Sequence, residues 1–404
     1  MFTLFRRKNK KIVTDKKKID EILNRGVEDV FVRKELEKKL LSGRQLRVKL
    51  GFDPTGGKIH IGRAIILRKL RDFQKLGHQV IFIVGDFTAL IGDPSDKLEK
   101  RPVLSVDQIK ANLKNYKDQV GRIIDLNTSE FYFNSKWLPK LTFKEISELA
   151  ESFTVQQMSN RRNFKERLNS GQDVSLREFL YPLMQGYDSV EVRADVEIGG
   201  FDQLFNLKAG RVIQKHFRQP EQDILTTKML EGTDGRKMST SWGNVINITD
   251  EPNDMYGKIM SMKDELLPQY FLLCTDLSEQ EIDQAINGVH PKEAKMRLAR
   301  EIVSIYHSKD LAEKAEKNFV DAFSKGNVPE DIQEIVVPMN SPLVNVAIQN
   351  KIISSKSEFK RLAQEGGIKD LETDKIINDF NYIVSTDKSI RFGKKKFLKI
   401  SIKK

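Results

Sequence analysis

Short apolar runs alternate with amphipathic segments in the first half of the chain. The runs LRVKLGF, HQVIFIVGDF and VEIGG have the length and composition of buried strands. Between the first two, RAIILRKLRDFQKLG places Ile66, Leu70 and Phe73 at helical spacing, with Arg68 and Lys69 elsewhere around the helix. Strand, helix and strand in this order predict a right-handed parallel unit. We therefore predict an α/β fold with a parallel sheet.

The pattern divides the sequence into four regions. Residues 1–45 predict polar helices, and residues 46–244 alternate strands and helices. Residues 245–335 predict helices only, and VVPMNSP has the composition of a linker before a small basic module, residues 341–404. No apolar run approaches the roughly 18 to 20 residues that a membrane span needs.

Charge and cysteine content narrow the class of protein. The net charge is +12, and residues 341–404 contain 14 Lys and Arg against 7 Asp and Glu. This excess favours a nucleic-acid partner, although a solvated lysine-rich surface explains it equally well. Cys274 is the only cysteine, which excludes an intramolecular disulfide and argues against a cysteine-based metal site. The basic N-terminus lacks the apolar core of a secretion signal, so we expect a cytoplasmic protein.

The stretch GFDPTGGKIHIGRA lies between a predicted strand and a predicted helix. Gly56 and Gly57 would let the backbone approach a phosphate, and the first N–H groups of the helix carry partial positive charge. His60 could donate a hydrogen bond to a phosphate oxygen. A histidine beside a glycine is more often a helix cap, so this stretch needs support from elsewhere in the chain.

That support comes from EGTDGRKMSTSWGN, residues 231–244. Glycines, hydroxyl side chains and Lys237 together are typical of a mobile loop that closes on a phosphate chain, although a polar surface loop looks the same. The two stretches together resemble the HIGH and KMSKS signatures of class I aminoacyl-tRNA synthetases. GDFTALIGDPSDK, EFLYPLMQGYDSVEV and PNDMYGKIMSMKDELLPQYF resemble further blocks of bacterial tyrosyl-tRNA synthetases, in the family's order.

The resemblance implies a fold, a reaction and partners. The implied fold is a Rossmann-like catalytic domain with a dimerisation insertion, a helical domain that meets the anticodon stem, and a small α+β RNA-binding module like that of a ribosomal small-subunit protein. Tyrosine would attack ATP to give tyrosyl-adenylate and pyrophosphate, and would then pass to the 3′ end of tRNA(Tyr). The implied partners are ATP with Mg²⁺, L-tyrosine, tRNA(Tyr) and a second copy of the chain, with no tightly bound cofactor and no membrane.

The residues implied for tyrosine binding are Thr88, Asp93, Asn134, Tyr181, Gln185, Asp188 and Gln203. Asp188 is expected to accept a hydrogen bond from the phenol, while Asp93, Tyr181 and Gln185 hold the ammonium group. A buried acceptor for the phenol rejects phenylalanine by roughly 10⁴ to 10⁵. Tyr181, Gln185 and Asp188 are spaced i, i+4 and i+7, which predicts one face of a helix, and polar residues facing a sheet favour a pocket over simple packing.

The resemblance assigns two further sets of residues. ATP binding falls to Asp53, Thr55, Gly62, Gly200, Asp202 and Met238, with Asp202 on the ribose hydroxyls, and catalysis to His60, Arg63, Lys97, Arg101, Lys237 and Thr240. Contacts to RNA phosphates fall to Lys351, Lys356, Lys360, Arg361, Lys394, Lys395 and Lys396.

Four residues depart from the family's pattern. Arg63 stands for the last His of the first signature, and Thr240 for a Lys of the second. Lys49 occupies a position where many relatives carry a tyrosine that contacts the substrate phenol, and Phe201 replaces a small residue. Arg63, Thr240 and Phe201 leave open a non-charging RNA-binding paralogue, and Lys49 leaves the specificity for tyrosine to depend on Asp188. A synthetase for another aromatic amino acid is a further alternative, but tryptophan has no phenol to pair with Asp188.

Overall fold

The structure, a computed structural model, describes residues 11–95, 104–323, 332–373, 375–393 and 396–403. The chain forms two compact units, Met1–Asp250 with Lys258–Leu298, and Glu251–Gly257 with Ala299–Lys404. No helix among the described residues is long and apolar enough to cross a membrane.

A six-stranded sheet forms the centre of the first unit. Its strands are β1 (Val27–Phe31), β2 (Arg47–Phe52), β3 (Gln79–Val84), β4 (Glu130–Phe133), β5 (Val196–Gly200) and β6 (Asp223–Thr227), in the order β1-β6-β5-β2-β3-β4. All neighbours are parallel except β1, which pairs antiparallel with β6. The apolar run of β3 is buried from Val80 to Val84, as both faces of a parallel sheet require. The predicted α/β fold is confirmed.

Among the described residues of the first half, ten α-helices surround or extend this sheet. They are α1 (Lys16–Asn24), α2 (Arg33–Leu41), α3 (Ile61–Lys75), α4 (Val106–Leu113), α5 (Tyr116–Gly121), α6 (Phe143–Ala150), α7 (Val155–Ser159), α8 (Arg162–Asn169), α9 (Leu176–Glu191) and α10 (Leu204–His216). The N-terminal region is not helical throughout as predicted, because β1 lies between α1 and α2. The alternation in VEDVF is short and polar, so only its pairing with β6 makes it a strand.

Helix α3 is buried on more sides than its periodicity predicts. Leu70 and Phe73 are fully buried, while Ile66 is only half-buried. Arg68 and Lys69, which the sequence places elsewhere around the helix, are buried as well. The Lys69 ammonium donates to the carbonyl oxygens of Ile22 and Arg25, at 2.9 and 2.8 Å, which compensates for its desolvation.

Helices α9 and α10 pack closely because Gly186 has no side chain. A Cβ at Gly186 would lie 2.8 Å from Cγ1 of Ile213 and 3.2 Å from the carbonyl oxygen of Ala209. Ser175 and Glu178 form a capping box at the start of α9, which satisfies its first N–H groups. The close approach and the cap hold α9 in one position against the sheet.

The rest of the chain is helical before it returns to strands. The helices are α11 (Pro252–Met260), α12 (Leu267–Cys274), α13 (Glu279–Ile286), α14 (Pro291–Tyr306), α15 (Lys309–Phe323), α16 (Leu343–Gln349) and α17 (Lys356–Gln364). The strands are β7 (Gln333–Pro338), β8 (Ser341–Pro342), β9 (Ile368–Asp370), β10 (Ile383–Val384), β11 (Lys388–Phe392) and β12 (Lys396–Lys403). Burial raises the pKa of the Cys274 thiol to about 12, in keeping with a role as a small apolar side chain.

The prediction that VVPMNSP is a linker is wrong for its first three residues, VVP. These residues belong to β7, which pairs in parallel with β12, so that Val337 faces Ile402 across the ladder. The resulting sheet has the order β7-β12-β11-β9, and its core includes Val337, Phe359 and Ile400. The small C-terminal fold therefore begins before residue 341.

Candidate active site

The carboxyl ends of β2, β3 and β5 meet at one edge of the sheet, where ligands of open parallel sheets bind. Asp53 follows β2, Gly85 follows β3, and Asp202 lies two residues beyond β5. The Gly85 N–H donates to the carbonyl of Phe52, 3.0 Å away, and a Cβ on Gly85 would overlap the Asp53 carboxylate. Glycine is therefore required at this position, which sequence reasoning did not single out.

A cavity of about 190 Å³ lies at this edge. All seven residues predicted for tyrosine binding line it: Thr88, Asp93, Asn134, Tyr181, Gln185, Asp188 and Gln203. Tyr181, Gln185 and Asp188 all belong to α9, as their spacing predicts. Asp53, predicted for ATP, also lines this cavity.

Asp188 is the most buried of the charged residues that line this cavity. Its Oδ1 accepts a hydrogen bond from Nε1 of Trp137 at 2.7 Å, and its Oδ2 accepts one from Nδ2 of Asn134 at 3.3 Å. Burial raises the pKa of Asp188 to about 7, against the effect of Lys49 and of these two donors. Trp137 was missed in the sequence, although it follows Asn134 by only three residues. The site thus holds a fixed acceptor that titrates near neutral pH.

A second set of acids and hydroxyls also lines this cavity. The Tyr181 hydroxyl donates to Oδ2 of Asp53 at 2.8 Å, and the Thr88 hydroxyl donates to Oδ1 at 2.7 Å. Burial raises the pKa of Tyr181, so the hydroxyl stays protonated and remains a donor. The Asp93 carboxylate accepts from Nε2 of Gln203 at 2.7 Å. These groups form a polar lining suited to an ammonium group.

A second cavity, of about 430 Å³, adjoins the first and shares Thr55, Arg63, Gly200 and Asp202 with it. It is also lined by His60, Gly62, Lys237, Met238 and Thr240, so residues of both signatures meet there. Lys97 and Arg101 lie outside the described residues. Phe201, which replaces a small residue of the family's pattern, is 47% exposed and lines neither cavity.

His60 and Arg63 both act at the start of α3. His60 is the N-cap, and its Nδ1 accepts a hydrogen bond from the Arg63 N–H at 3.3 Å. Burial, with a smaller effect from Arg63, lowers the pKa of His60 to about 3. A neutral imidazole that accepts at Nδ1 carries its proton on Nε2. His60 is therefore uncharged and offers a single N–H donor, at Nε2, to a ligand.

Arg63 supplies the positive charge at this helix start. Its Nη2 donates to the Thr55 hydroxyl at 2.5 Å, and its guanidinium carbon lies 5.1 Å from the centre of the Phe52 ring. Both contacts restrict the side chain to the boundary between the two cavities. The planar guanidinium group of an arginine suits phosphate oxygens. Arg63, in place of the family's histidine, therefore keeps a hydrogen-bond donor for anions at the site.

Asn244 fixes the loop that carries Lys237. Its Nδ2 donates to the carbonyl of Lys237 at 3.1 Å and to Oδ1 of Asp234 at 2.8 Å, while its Oδ1 accepts from the Ser239 N–H at 2.8 Å. Backbone bonds join the neighbouring segment to the first signature, from the Ile61 N–H to the carbonyl of Ile246 at 2.8 Å. A Cβ on Gly62 would lie 3.0 Å from Sδ of Met238. Asn244 stands in the quoted stretch but was not singled out.

The basic residues predicted for RNA binding lie on the C-terminal fold. Lys351, Lys356, Lys360, Arg361 and Lys396 are exposed, whereas Lys394 and Lys395 lie outside the described residues. Nζ of Lys396 donates to the carbonyl of Ile352 at 2.5 Å and lies 3.9 Å from Glu358 of α17. The start of β12 and the start of α17 are thus neighbours, and their lysines share one surface.

Comparison with known protein families gives the class of protein. The family model described as tRNA synthetases class I (W and Y) matches residues 41–324. The chain belongs to this family of class I tRNA synthetases, in the group of bacterial tyrosyl-tRNA synthetases.

The individual relatives agree. The chain is 42% identical to the tyrosine–tRNA ligase of Carboxydothermus hydrogenoformans over 403 residues, covering 95% of this chain and 98% of that one. It is 43% identical to the tyrosine–tRNA ligase of Desulfotalea psychrophila over 394 residues, or 94% and 97% of the two chains. A truncated mitochondrial tyrosyl-tRNA synthetase of Coccidioides posadasii shares the fold, with a TM-score of 0.62 and 24% identity over 74% of this chain and 91% of its own.

Proposed function

We propose that the protein is a tyrosine–tRNA ligase that activates L-tyrosine with ATP and transfers it to tRNA(Tyr). One observation carries the proposal: a buried carboxylate, Asp188, lies in a small cavity that shares walls with the larger cavity where the two signatures meet. A tyrosine whose side chain is bound in the first cavity would present its α-carboxylate toward a nucleotide in the second. The relatives reported above are tyrosine–tRNA ligases and give no support to a non-charging paralogue.

Asp188 is the proposed receptor for the phenol, because its carboxylate is buried and already oriented by Trp137 and Asn134. Phenylalanine would leave this acceptor unpaired, which is how a site built around a hydroxyl excludes the analogue that lacks it. At the other end, Asp93, Tyr181 and Gln185 would hold the ammonium group. Thr88 and Gln203 support this lining through Asp53 and Asp93, respectively.

ATP would occupy the larger cavity, with Asp202 on the ribose hydroxyls and Thr55, Gly62, Gly200 and Met238 around the nucleotide. In the transition state, negative charge builds on the α-phosphate and on the departing pyrophosphate. His60 would donate its Nε2 proton in a hydrogen bond, and Arg63 and Lys237 would supply positive charge. Thr240 would contribute a neutral hydroxyl where relatives carry a lysine. Lys97 and Arg101 would act on the pyrophosphate.

The site needs no nucleophilic side chain. The substrate carboxylate is itself the nucleophile, so the protein has to position two substrates and stabilise charge. Asp53 binds the Tyr181 and Thr88 hydroxyls and lines the smaller cavity beside Thr55, which suits a residue near the reacting groups. Mg²⁺ would enter with ATP as part of the substrate.

The basic residues of the C-terminal fold would contact tRNA phosphates. The carriers are Lys351, Lys356, Lys360, Arg361, Lys394, Lys395 and Lys396, and the affinity should fall steeply with salt. We also propose a homodimer in the cytoplasm. Segment 143–176 exposes Phe143 at 86%, Val155 at 73% and Leu176 at 79%, and exposed large apolar side chains of this kind mark interfaces between proteins.

The deciding experiment is amino-acid-dependent exchange of labelled pyrophosphate into ATP, with phenylalanine and tryptophan as controls. Exchange with tyrosine alone is the expected result. Folded protein that supports no exchange with any amino acid would overturn the ligase and favour the RNA-binding paralogue. Exchange with tryptophan but not tyrosine would instead reassign the substrate.

A further inference from the structure

Lys49 and Glu197 form a buried ion pair directly behind the amino-acid cavity. They are partners in register on the neighbouring parallel strands β2 and β5, and both side chains are fully buried. Nζ of Lys49 lies 2.8 Å from Oε1 of Glu197. Neither residue lines the cavity. Two opposite charges in a sheet interior are costly to bury, so hydrogen bonds must compensate for their desolvation.

The hydrogen bonds of the Lys49 ammonium group go to helix α9. Its ammonium donates to the carbonyl of Gln185 at 2.9 Å and to the hydroxyl of Ser189 at 2.8 Å. Together with the carboxylate of Glu197, these two acceptors surround the ammonium group. Gln185 and Ser189 flank Asp188 on the helix, so Lys49 holds the turn that carries the proposed phenol acceptor.

Glu197 acts on the other polar residue of that turn. Its Oε1 accepts a hydrogen bond from Nε2 of Gln185 at 3.0 Å, while Ser189 and Gln222 donate to Oε2 at 3.2 and 2.5 Å. A carboxylate can only accept, so the Gln185 amide must turn its NH₂ toward Glu197. The amide oxygen of Gln185 is then available to the cavity, where an ammonium group needs an acceptor.

We propose that the Lys49–Glu197 pair is a positioning element for tyrosine recognition. Glu197 orients the Gln185 amide so that its oxygen faces the substrate ammonium, and Lys49 places a positive charge beside Asp188 that favours its ionised, phenol-accepting form. The proposal rests on the proposed function, and it adds a role for a lysine where many relatives carry a phenol-contacting tyrosine. Lys49 touches no substrate and acts through α9.

The charged and titratable groups around Asp188 come from three elements. Lys49 on β2 lowers the pKa of Asp188, while Glu197 on β5 raises it by a smaller effect. Tyr181 lies two turns before Asp188 on the same face of α9. Burial raises its pKa, so it remains neutral. Trp137 and Asn134 donate hydrogen bonds from the segment after β4 and favour the ionised form. Lys49 is therefore the cation that this carboxylate depends on among the described residues.

The test is the double variant Lys49→Met with Glu197→Gln, which removes both charges of the pair together, so that neither partner is left buried as an ion without the other. Its matched control is Lys388→Met with Asp370→Asn, a lysine–aspartate pair at 2.6 Å in the other compact unit. Both proteins are assayed by pyrophosphate exchange from pH 6 to pH 9, for the KM of tyrosine, the KM of ATP and kcat. Thermal unfolding is measured for each.

The expected result is a change in tyrosine binding that depends on pH. The KM for tyrosine should rise at low pH, where Asp188 becomes protonated. Because loss of a nearby opposite charge raises the pKa of a carboxyl group, this acid limb of the pH profile should move upward by about one pH unit or more. At pH 7 the KM for tyrosine should rise at least about fivefold, with the KM of ATP and kcat within about twofold, because binding is lost equally in ground and transition states. The control pair should leave all three unchanged.

A double variant that is folded, with an unchanged tyrosine limb and an unchanged tyrosine KM, would overturn the inference. So would a limb that moves equally in the control. Absence of exchange in the unmodified protein would instead overturn the proposed function, so the two failures are distinct. If the double variant does not fold, the single variant Gln185→Glu decides: it places a second carboxylate against Glu197, and an unchanged tyrosine KM would reject the orientation of the amide.

Discussion

Replacing Asp188 with asparagine tests the centre of the proposed site with a minimal change of shape. The carboxylate now accepts from Trp137 and Asn134 on its two oxygens, at 2.7 and 3.3 Å. An asparagine offers one acceptor oxygen only, so its NH₂ must face either one of these donors or the substrate phenol. The variant therefore loses a charge and one hydrogen bond together.

The magnitude follows from these two losses. A hydrogen bond to a charged group contributes about 1.5 to 3 kcal/mol, which corresponds to roughly 10- to 150-fold in kcat/KM. A misplaced donor adds to this loss, so we expect kcat/KM for tyrosine to fall by about 10² or more. Phenylalanine loses no phenol contact, so the discrimination between the two amino acids should narrow by a similar factor.

The assay is pyrophosphate exchange with tyrosine and with phenylalanine, from pH 6 to pH 9. Because burial raises the pKa of Asp188 to about 7, the unmodified protein should bind tyrosine more weakly as pH falls through this value. The variant has no carboxyl group there, so this limb should disappear. The control is Asp223→Asn, another buried aspartate, which pairs with Lys39 at 2.7 Å at the opposite end of β6 from the site. A tyrosine kcat/KM within about threefold of the unmodified value in a folded Asp188→Asn protein would refute the reasoning.

Two further predictions concern the loop and the RNA. Asn244→Ala removes three hydrogen bonds that hold the Lys237 loop, so kcat for exchange should fall by about tenfold or more while the KM of tyrosine stays near its original value; an unaltered kcat would contradict this role. Lys356→Gln with Lys360→Gln should weaken tRNA binding and reduce the slope of log affinity against log salt by about 1 to 2, leaving pyrophosphate exchange intact. Titration of tRNA binding between low and high salt measures this slope, and an unchanged slope would exclude these lysines from phosphate contact.

The departures from the family's pattern have different structural consequences. Arg63 is held by Thr55 and Phe52 at the boundary of the two cavities, so a positive charge remains at the start of α3. Phe201 lies half exposed and lines neither cavity. Lys49 is the departure with the widest effect, because a buried charge requires Glu197 and the polar atoms of α9 around it.

The sequence by itself determined the elements with strong local patterns. The apolar run of β3 and the strand-helix-strand order predicted the parallel sheet, because periodicity and composition are local properties. The spacing of Tyr181, Gln185 and Asp188 predicted one helical face, and the two signatures predicted a nucleotide site at a helix start. Resemblance to the family then supplied the residues for each substrate.

Only the tertiary structure decided which partners these residues meet. Strands β1 and β7 have weak sequence patterns of their own, and their pairing with β6 and β12, respectively, makes them strands. The burial of Lys49 and its pairing with Glu197 depend on the register of β2 against β5, two strands that lie about 150 residues apart in the chain. Long-range register brings such side chains together, and no local pattern encodes it.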